Sequence, residues 1–143
     1  MSEMLSPHFS LDELTASDTA ARAGIDNTPP ADVLETLKLT ATGLEAVRVL
    51  LGAPLHVSSG YRSPALNKLV GGQANSQHCK GEAVDFTSRQ FGTPEQIVAR
   101  LVASQLAYDQ VILEFNRWVH ISFGSKQRRQ ALVIDKGGVW PWQ

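Results

Sequence analysis

Two residues with metal-binding chemistry lie close together in the segment SQHCKGEAVD, residues 76–85. His78 supplies an imidazole, Asp85 supplies a carboxylate seven residues later, and Gly81 between them lets the chain turn. Zinc readily accepts this mixture of nitrogen and oxygen ligands. The segment therefore predicts part of a zinc site, which needs at least one further ligand.

His120 is the candidate for the third ligand. It lies in the run WVHISF, residues 118–123, in which every second residue is apolar. Such alternation predicts a strand with one apolar face, and the run AVDFT, residues 83–87, predicts another with Asp85 on its polar face. Two strands that each carry one ligand opposite an apolar face predict that His78, Asp85 and His120 converge on one cation.

These residues belong to a longer pattern with defined spacing. The pattern consists of SSGYRS at residues 58–63, then Ser76, His78, Gly81, Ala83 and Asp85, and finally Trp118 and His120. It resembles the signature of zinc D-alanyl-D-alanine carboxypeptidases and of related peptidoglycan peptidases of the phage endolysin type, and the resemblance extends from about Phe9 to Phe123. It implies a hedgehog-like α+β fold, one zinc ion (Zn2+) held by His78, Asp85 and His120, and cleavage of a peptide bond in the bacterial wall.

The order of the predicted elements favours an α+β fold, with a small antiparallel sheet and helices packed on one of its faces. Apolar residues spaced three and four apart predict a long amphipathic helix from Pro30 to about Leu51. Shorter helices are expected after Ser10, Ser63 and Thr93. Strands are predicted at residues 55–58, 83–87, 110–115, 118–123 and 132–134. Without an internal repeat or linker, residues 1–143 are predicted to form a single zinc peptidase domain.

Composition limits the partners and the compartment. The net charge of −1 gives no general attraction to nucleic acid, and the single cysteine, Cys79, excludes an intramolecular disulfide. No stretch reaches the roughly 18 apolar residues of a membrane span, and the N-terminus lacks the pattern of a signal peptide. We therefore expect a monomer, made in the cytoplasm, that binds peptidoglycan peptide but neither nucleic acid nor membrane. It would reach the wall after release by a phage holin or as part of a virion.

Hydrolysis at such a site needs an acid–base group beside the metal. Three protein ligands leave one zinc position for a water of lowered pKa, and a nearby carboxylate can accept its proton. Glu114 is the candidate, because an acid directly after the apolar run 111–113 is expected only at the rim of the sheet or at a functional site. Its spacing to His120 resembles that in hedgehog domains and several phage enzymes. Other carboxypeptidase relatives place the acid three residues before the histidine, where this chain has Arg117.

Glu114 can share a site with His120 only if the connection between their strands is irregular. A regular two-residue turn at Asn116 and Arg117 would pair Glu114 with Val119, on the face opposite His120. A connection with an odd number of residues, or a bulge near Asn116, places Glu114 on the same face as His120. We predict such a connection, with the Glu114 carboxylate within hydrogen-bond reach of the water at the metal.

Three further residues complete the predicted site. Arg62 offers a planar fork of donors for a developing oxyanion or a substrate carboxylate. Ser76 and Gln77 are expected to bind the peptide substrate or to orient the ligands. With them, the sequence predicts a bacteriolytic zinc metallopeptidase that cuts a stem or cross-link peptide of peptidoglycan, as a carboxypeptidase or an endopeptidase.

Two alternative functions stay open at this point. One is a hedgehog-like zinc-binding module without hydrolytic activity, although the presence of both Glu114 and Arg62 speaks against it. The other is a cytosolic D-Ala-D-Ala carboxypeptidase or dipeptidase. The pattern of residues also leaves open which bond is cut: the L-alanyl-D-glutamate bond, a cross-link that involves D-alanine, or a terminal D-alanine.

Overall fold

Five helices and eight strands make up residues 3–143, the part of the chain that this computed structural model describes. In chain order they are β1 (Met4–Ser6), β2 (Phe9–Ser10), α1 (Leu11–Thr15), α2 (Asp18–Ala23), α3 (Ala31–Leu51), β3 (His56–Ser59), α4 (Pro64–Leu69), β4 (Ala83–Thr87), α5 (Pro94–Ala103), β5 (Gln110–Glu114), β6 (Trp118–Ser122), β7 (Gln130–Asp135) and β8 (Gly138–Pro141). The mixed α+β class predicted from the sequence is confirmed.

A six-stranded sheet forms the centre of the molecule, with the strand order β3-β4-β6-β5-β7-β8. Neighbouring strands of this sheet run antiparallel, except for β5 and β7, which are parallel. The sheet is therefore larger than predicted, and one of its pairs departs from the antiparallel arrangement. The strands β1, β2 and β8 are not predicted, because two to four residues are too few to show a clear alternation.

The two faces of the sheet differ in chemistry, because side chains alternate along each strand. Val84 of β4 and Val119 of β6 have no exposed surface and face α3 and α5. The helical side chains packed in this core are Leu37, Leu44 and Val47 of α3 and Ile97, Val98 and Leu101 of α5. Burial of each such side chain stabilises the fold by about 1.5–3 kcal/mol. The same strands direct Asp85 and His120 to the opposite face, where a cleft lies.

Four of the five helices begin with the same kind of cap. Side chains of Ser10, Ser17, Ser63 and Thr93 each accept a hydrogen bond from the backbone N–H three residues further on. The helices after Ser10, Ser63 and Thr93 agree with the sequence prediction. The sequence does not predict α2, after Ser17, because this helix buries only Ala20 and so lacks an apolar periodicity.

Helix α3 connects the core to the loop before β4. It begins after Pro30 and ends at Gly52, which has the left-handed conformation (φ 66°), in agreement with the predicted bounds. From the middle of this helix, the buried Thr40 hydroxyl donates to the Gly81 carbonyl at 2.6 Å and so fixes the loop that carries His78. Neither α3 nor any other helix in residues 3–143 is long and apolar enough to cross a membrane.

Candidate metal centre

His78, Asp85 and His120 converge above the polar face of the sheet. Nε2 of His78 lies 3.3 Å from Oδ1 of Asp85, and Nδ1 of His120 lies 3.0 Å from the same oxygen. One ligand atom from each residue lies within 4.8 Å of the other two. The two imidazole rings meet edge to face, with centroids 5.1 Å apart. The structure thus brings together the three residues that the sequence predicts as metal ligands.

The register between β4 and β6 positions two of the three predicted metal ligands, Asp85 and His120. Strands β4 and β6 pair so that Asp85 lies directly opposite His120. Directly opposed residues of an antiparallel pair project from the same face of the sheet. The neighbouring strand β3 supports this arrangement, because the Ser58 hydroxyl donates to the Asp85 carbonyl at 3.3 Å.

His78 is oriented by a hydrogen bond on the far side of its ring. Nδ1 lies 2.8 Å from the carbonyl oxygen of Gly60, which can only accept, so Nδ1 carries a proton. In the neutral ring, Nε2 then directs its lone pair toward the Asp85 carboxylate. A metal-binding histidine commonly donates its other N–H to a carbonyl in this way. His78 is therefore held in the tautomer that a metal ligand requires.

Two glycines allow the loops around His78 to pack closely. Gly81 has φ +74°, and a Cβ atom there would lie 3.0 Å from Cγ1 of Val33 on α3. At Gly60, a Cβ atom would lie 2.2 Å from the carbonyl oxygen of Leu14 on α1. A side chain at either position would displace His78 or its acceptor carbonyl.

The donor set fits a zinc ion. Zinc–ligand distances of about 2.0–2.1 Å place two ligand atoms of a tetrahedral site roughly 3.3 Å apart. The separations of 3.3 and 3.0 Å between the Asp85 oxygen and the two ring nitrogens are close to that value. A cation between these atoms would also relieve the repulsion between the His78 lone pair and the carboxylate. Although burial opposes ionisation of Asp85, the hydrogen bond from His120 and the proximity of both imidazole rings hold the pKa of its carboxyl well below its ordinary value.

Glu114 lies on the same face as this group. Strands β5 and β6 are joined by three residues, so that Glu114 pairs with Trp118 and not with Val119. Phe115 and Asn116 in the connection both have left-handed φ values, 54° and 57°. The predicted odd connection is confirmed. Oε2 of Glu114 lies 4.0 Å from Nδ1 of His120.

The surroundings of Glu114 favour proton uptake. Burial of the side chain and the nearby charge of Asp85 together raise the pKa of the Glu114 carboxyl above its ordinary value. A raised pKa makes a carboxylate a stronger proton acceptor. The indole N–H of Trp118 donates to Oε2 of Glu114 at 3.2 Å and fixes its orientation.

Arg62 reaches the site from the connection between β3 and α4. Its backbone N–H donates to the carbonyl of His78 at 3.2 Å, and its side chain lines the same cavity as His120 and Glu114. The buried Nε of Arg62 has no hydrogen-bond partner within residues 3–143. An unpaired buried donor is costly, and this nitrogen leaves the Arg62 guanidinium without a protein partner on that side.

Ser76 and Gln77 lie at the cavity with different surroundings. The Ser76 hydroxyl accepts a hydrogen bond from the backbone N–H of His78 at 3.1 Å, which supports the turn that leads into His78. The Gln77 amide donates to Asp109 at 2.9 Å and to Glu82 at 3.3 Å, so it braces the cavity wall. These contacts fit a role for Ser76 and Gln77 in orienting the loop that carries His78.

The sequence does not predict the ion pair between Asp109 and Arg128 in the same wall. Nε of Arg128 donates to Oδ1 of Asp109 at 2.7 Å, and Nη2 donates to Oδ2 at 3.0 Å. Hydrogen bonds from Arg128 hold the pKa of the Asp109 carboxyl well below its ordinary value. The two residues are 19 positions apart in a turn and a loop, so no periodic pattern connects them.

Cys79, beside His78, is a free and half-buried thiol. Burial raises the pKa of this thiol above its ordinary value and so opposes the thiolate form that binds metals. Within the described residues 3–143, the group able to hold a metal ion consists of His78, Asp85 and His120.

Three side-chain ligands, an adjacent carboxylate and an open cavity form the kind of centre that mononuclear metallohydrolases use. The family model of peptidase M15 matches residues 7–122, which include all of these groups. The chain belongs to the peptidase M15 family, the family of zinc D-alanyl-D-alanine carboxypeptidase-like enzymes. The resemblance found in the sequence is thereby confirmed. A comparison with curated proteins finds no significant match.

Proposed function

We propose that this protein is a zinc-dependent peptidase that hydrolyses peptide bonds in the stem or cross-link peptides of bacterial peptidoglycan. Membership of the M15 family supports peptidase activity. The observation that carries the proposal is the position of Glu114, which shares one cavity of about 540 Å³ with Arg62, His78 and His120. A carboxylate in that place serves hydrolysis and has no evident use in a site that only binds metal.

The three ligands have distinct duties in this proposal. His78 would bind zinc through Nε2, His120 through Nδ1 and Asp85 through Oδ1, the atoms that face one another. Zinc, when bound, supplies a Lewis acid that activates a water molecule and polarises the scissile carbonyl. Asp85 stays ionised and offsets part of the charge of the cation.

Glu114 acts as the general base and then as the general acid. It accepts the proton of the attacking water and returns it to the leaving amine, so that no net proton is consumed in bond cleavage. Trp118 holds Oε2 through its N–H, and this bond keeps the carboxylate directed at the site.

Arg62 stabilises the negative charge that develops on the carbonyl oxygen of the scissile bond. Its side chain lines the cavity beside His120 and Glu114, and its charge suits a developing oxyanion. A preorganised donor at an oxyanion contributes most in a site from which water is excluded.

The peptidoglycan substrate rests on the sequence motifs and on the charge of the cavity. The motif residues, from SSGYRS to His120, resemble those of wall peptidases, and Lys80 and Lys126 at the cavity suit a substrate rich in carboxylates. We further propose a monomeric lysis enzyme of the phage endolysin type, released from the cytoplasm to the wall, with a fold related to that of hedgehog domains.

Digestion of purified sacculi tests the proposal. We expect the zinc-loaded protein to release peptide fragments that mass spectrometry identifies, and we expect a chelator to stop the release until zinc is restored. Glu114→Gln is the matched variant, because it keeps the shape of the side chain and removes the base. We expect it to retain zinc and to lose about 10²–10⁴-fold in rate. If the folded, zinc-loaded protein released no fragments, the reading as a zinc-binding module without hydrolysis would replace this one.

A further inference from the structure

Two loops line the cavity of about 540 Å³ beside the metal-binding group. The His78 loop comprises residues 76–82, and the β6–β7 loop comprises residues 123–129. Neither loop belongs to a helix or a strand, so regular backbone pairing does not determine where it lies. The shape of the cavity therefore depends on the contacts that hold these two loops.

A single carboxylate, that of Asp109, accepts hydrogen bonds from both loops. From the His78 loop, Nε2 of Gln77 donates to Oδ2 of Asp109 at 2.9 Å. From the β6–β7 loop, Arg128 donates through Nε to Oδ1 at 2.7 Å, through Nη2 to Oδ2 at 3.0 Å and through its backbone N–H to Oδ1 at 3.1 Å. A carboxylate offers about four acceptor sites, so these four bonds leave the buried Asp109 little capacity to bind a substrate.

The sheet fixes the position of Asp109. The residue directly precedes β5, and its backbone N–H donates to the carbonyl of Ser122, the last residue of β6, at 2.7 Å. Its carbonyl accepts from the backbone N–H of Gln130, the first residue of β7, at 3.0 Å. Asp109 is thus a fixed point to which both loops are bonded.

Gln77 connects this fixed point to a metal ligand. It directly precedes His78, and its carbonyl accepts from the backbone N–H groups of Lys80 and Glu82 at 3.2 and 3.0 Å. These bonds close the turn in which His78 lies. The carbonyl of His78 accepts in turn from the backbone N–H of Arg62 at 3.2 Å. A displacement of Gln77 would therefore move His78 and the backbone of Arg62.

The β6–β7 loop has an uncommon backbone conformation. Gln127 and Arg129 have left-handed φ values of 42° and 50°, which residues other than glycine rarely adopt and which surrounding contacts must hold. The guanidinium of Arg129 donates to the carbonyls of Leu106 and Ser104, both at 2.9 Å. Arg128, between the two left-handed residues, provides a second anchor. The anchor of Arg128 is the one that ends on the same acceptor as Gln77.

We infer that Asp109 is a positioning residue for the proposed hydrolysis, and that Gln77 and Arg128 act through it to fix the two loops around the substrate. This inference rests on the proposed peptidase function. The hydrogen bonds of the Asp109 carboxylate go to Gln77 and Arg128 and not to a metal ligand. Its loss should therefore change the kinetic constants while zinc stays bound.

The first test replaces Asp109 with asparagine, which keeps the shape of the side chain but turns N–H groups toward the donors. We expect Asp109→Asn to bind a full equivalent of zinc and to lose about 10–10²-fold in kcat/KM for muropeptides, the scale of a misplacement of about 1 Å. Kinetics below the melting temperature of the variant and elemental analysis of the same preparation measure the two quantities. An unchanged kcat/KM in the folded variant would overturn the inference.

The second test asks whether Gln77 and Arg128 act through one acceptor. We expect the combined loss in kcat/KM after Gln77→Ala and Arg128→Ala to be at least about threefold smaller than the product of the single losses, because residues that share a partner are coupled. Gln77→Ala combined with Arg129→Ala is the matched control, and its losses should multiply to within about twofold. Losses that multiply in both pairs would show that Asp109 does not couple the loops and would overturn the inference.

Hydrogen exchange followed by mass spectrometry gives a readout that does not require activity. In zinc-loaded Asp109→Asn we expect faster amide exchange in both loops and unchanged exchange in α3 and α5. In Arg129→Ala we expect faster exchange in the β6–β7 loop alone. Faster exchange throughout Asp109→Asn, or in only one of its loops, would overturn the inference.

Failure of the proposed function gives a different result. If the zinc-loaded parent released no fragment from any muropeptide, the peptidase function would be wrong and the positioning role would fall with it. The exchange pattern of Asp109→Asn would still show whether this residue holds both loops.

Discussion

Glu114 and Trp118 lie directly opposite each other across the β5–β6 ladder, and the indole N–H of Trp118 donates to the Glu114 carboxylate at 3.2 Å. The pairing exists because the connection between the strands contains three residues, of which Phe115 and Asn116 adopt left-handed backbone conformations. A change of one residue in that connection would turn Glu114 away from His120. The geometry of this hairpin therefore decides whether the site has a base.

The bond from Trp118 is open to a direct test. We expect Trp118→Phe to lower kcat by roughly 10–150-fold, because a hydrogen bond to a charged group contributes on the order of 1.5–3 kcal/mol. Steady-state kinetics on muropeptides measures this. Trp140→Phe is the control, since its indole also donates to a carboxylate, that of Asp135 at 3.1 Å, but on the exposed strand β8. Equal effects of the two substitutions would show that Trp118 has no positioning role.

The metal site predicts one zinc ion per chain. We expect His78→Ala, Asp85→Ala and His120→Ala each to remove zinc, because each deletes one of three converging ligands. Elemental analysis of the purified variants measures the occupancy. His56, exposed on β3, provides the control, and His56→Ala should keep a full equivalent. Full occupancy after the loss of His120 would rule out the site.

Arg62 is expected to matter for turnover and not for metal binding. We expect Arg62→Ala to bind zinc normally and to lose about 10²–10³-fold in kcat, the usual cost of removing one oxyanion donor. Kinetics and elemental analysis on the same preparation separate the two effects. A purely structural arginine would instead lower the melting temperature and leave kcat unchanged, and that result would remove Arg62 from the mechanism.

The pair of Asp109 and Arg128 predicts a pH-dependent contribution to stability. Because the pKa of Asp109 is lower in the folded protein than in the unfolded chain, its contribution is fully present above the unfolded pKa of about 3.9 and is lost as the pH falls through the folded value. We expect Asp109→Asn to lower the melting temperature at pH 7 and to differ less from the parent below about pH 4.

A control for that experiment comes from the exposed pair of Glu35 and Lys38 on α3. Exposed pairs one helical turn apart contribute little, so Glu35→Gln should leave the melting temperature nearly unchanged across the same pH range. If Asp109→Asn shifted the melting temperature equally at pH 3 and pH 7, the effect would not arise from ionisation of Asp109.

Gly81 is expected to be required for both stability and metal binding. Alanine there would adopt φ +74° and place its Cβ 3.0 Å from Val33, whereas alanine at Gly24 would adopt a similar φ, +69°, in open space. We expect Gly24→Ala to cost about 1–2 kcal/mol and Gly81→Ala to cost more, with weaker zinc binding as well. Denaturant unfolding and zinc titration measure the two quantities. Equal costs at both positions would show that the contact with α3 is unimportant.

The ligand group and the long helix could be predicted from the sequence because their signals are local. Asp85 and His120 each stand on the polar side of an alternating run, and the periodicity of α3 extends over five turns. The irregular hairpin could also be predicted, since any regular turn places Glu114 on the wrong face. These predictions depend on the geometry of one or two elements.

Features that depend on distant contacts could not be predicted in the same way. The parallel pairing of β5 with β7 follows from a crossover whose direction is not encoded in either strand. The bond between Asp109 and Arg128 joins a turn to a loop, where no period is present to reveal it. The cavity of about 890 Å³ between α4 and the β5–β6 hairpin requires the relative placement of these elements, which only the folded chain defines.

The strands β7 and β8 follow the region that matches the family, and they change which strand forms the edge of the sheet. Without them, β5 would expose a row of unpaired N–H and C=O groups to other chains, at the strand that carries Glu114. With them, the edge is β8, a strand of four residues that ends at Pro141, which has no N–H to donate. The C-terminal strands thereby cover the backbone of the strand that carries Glu114, and β3 forms the other edge of the sheet.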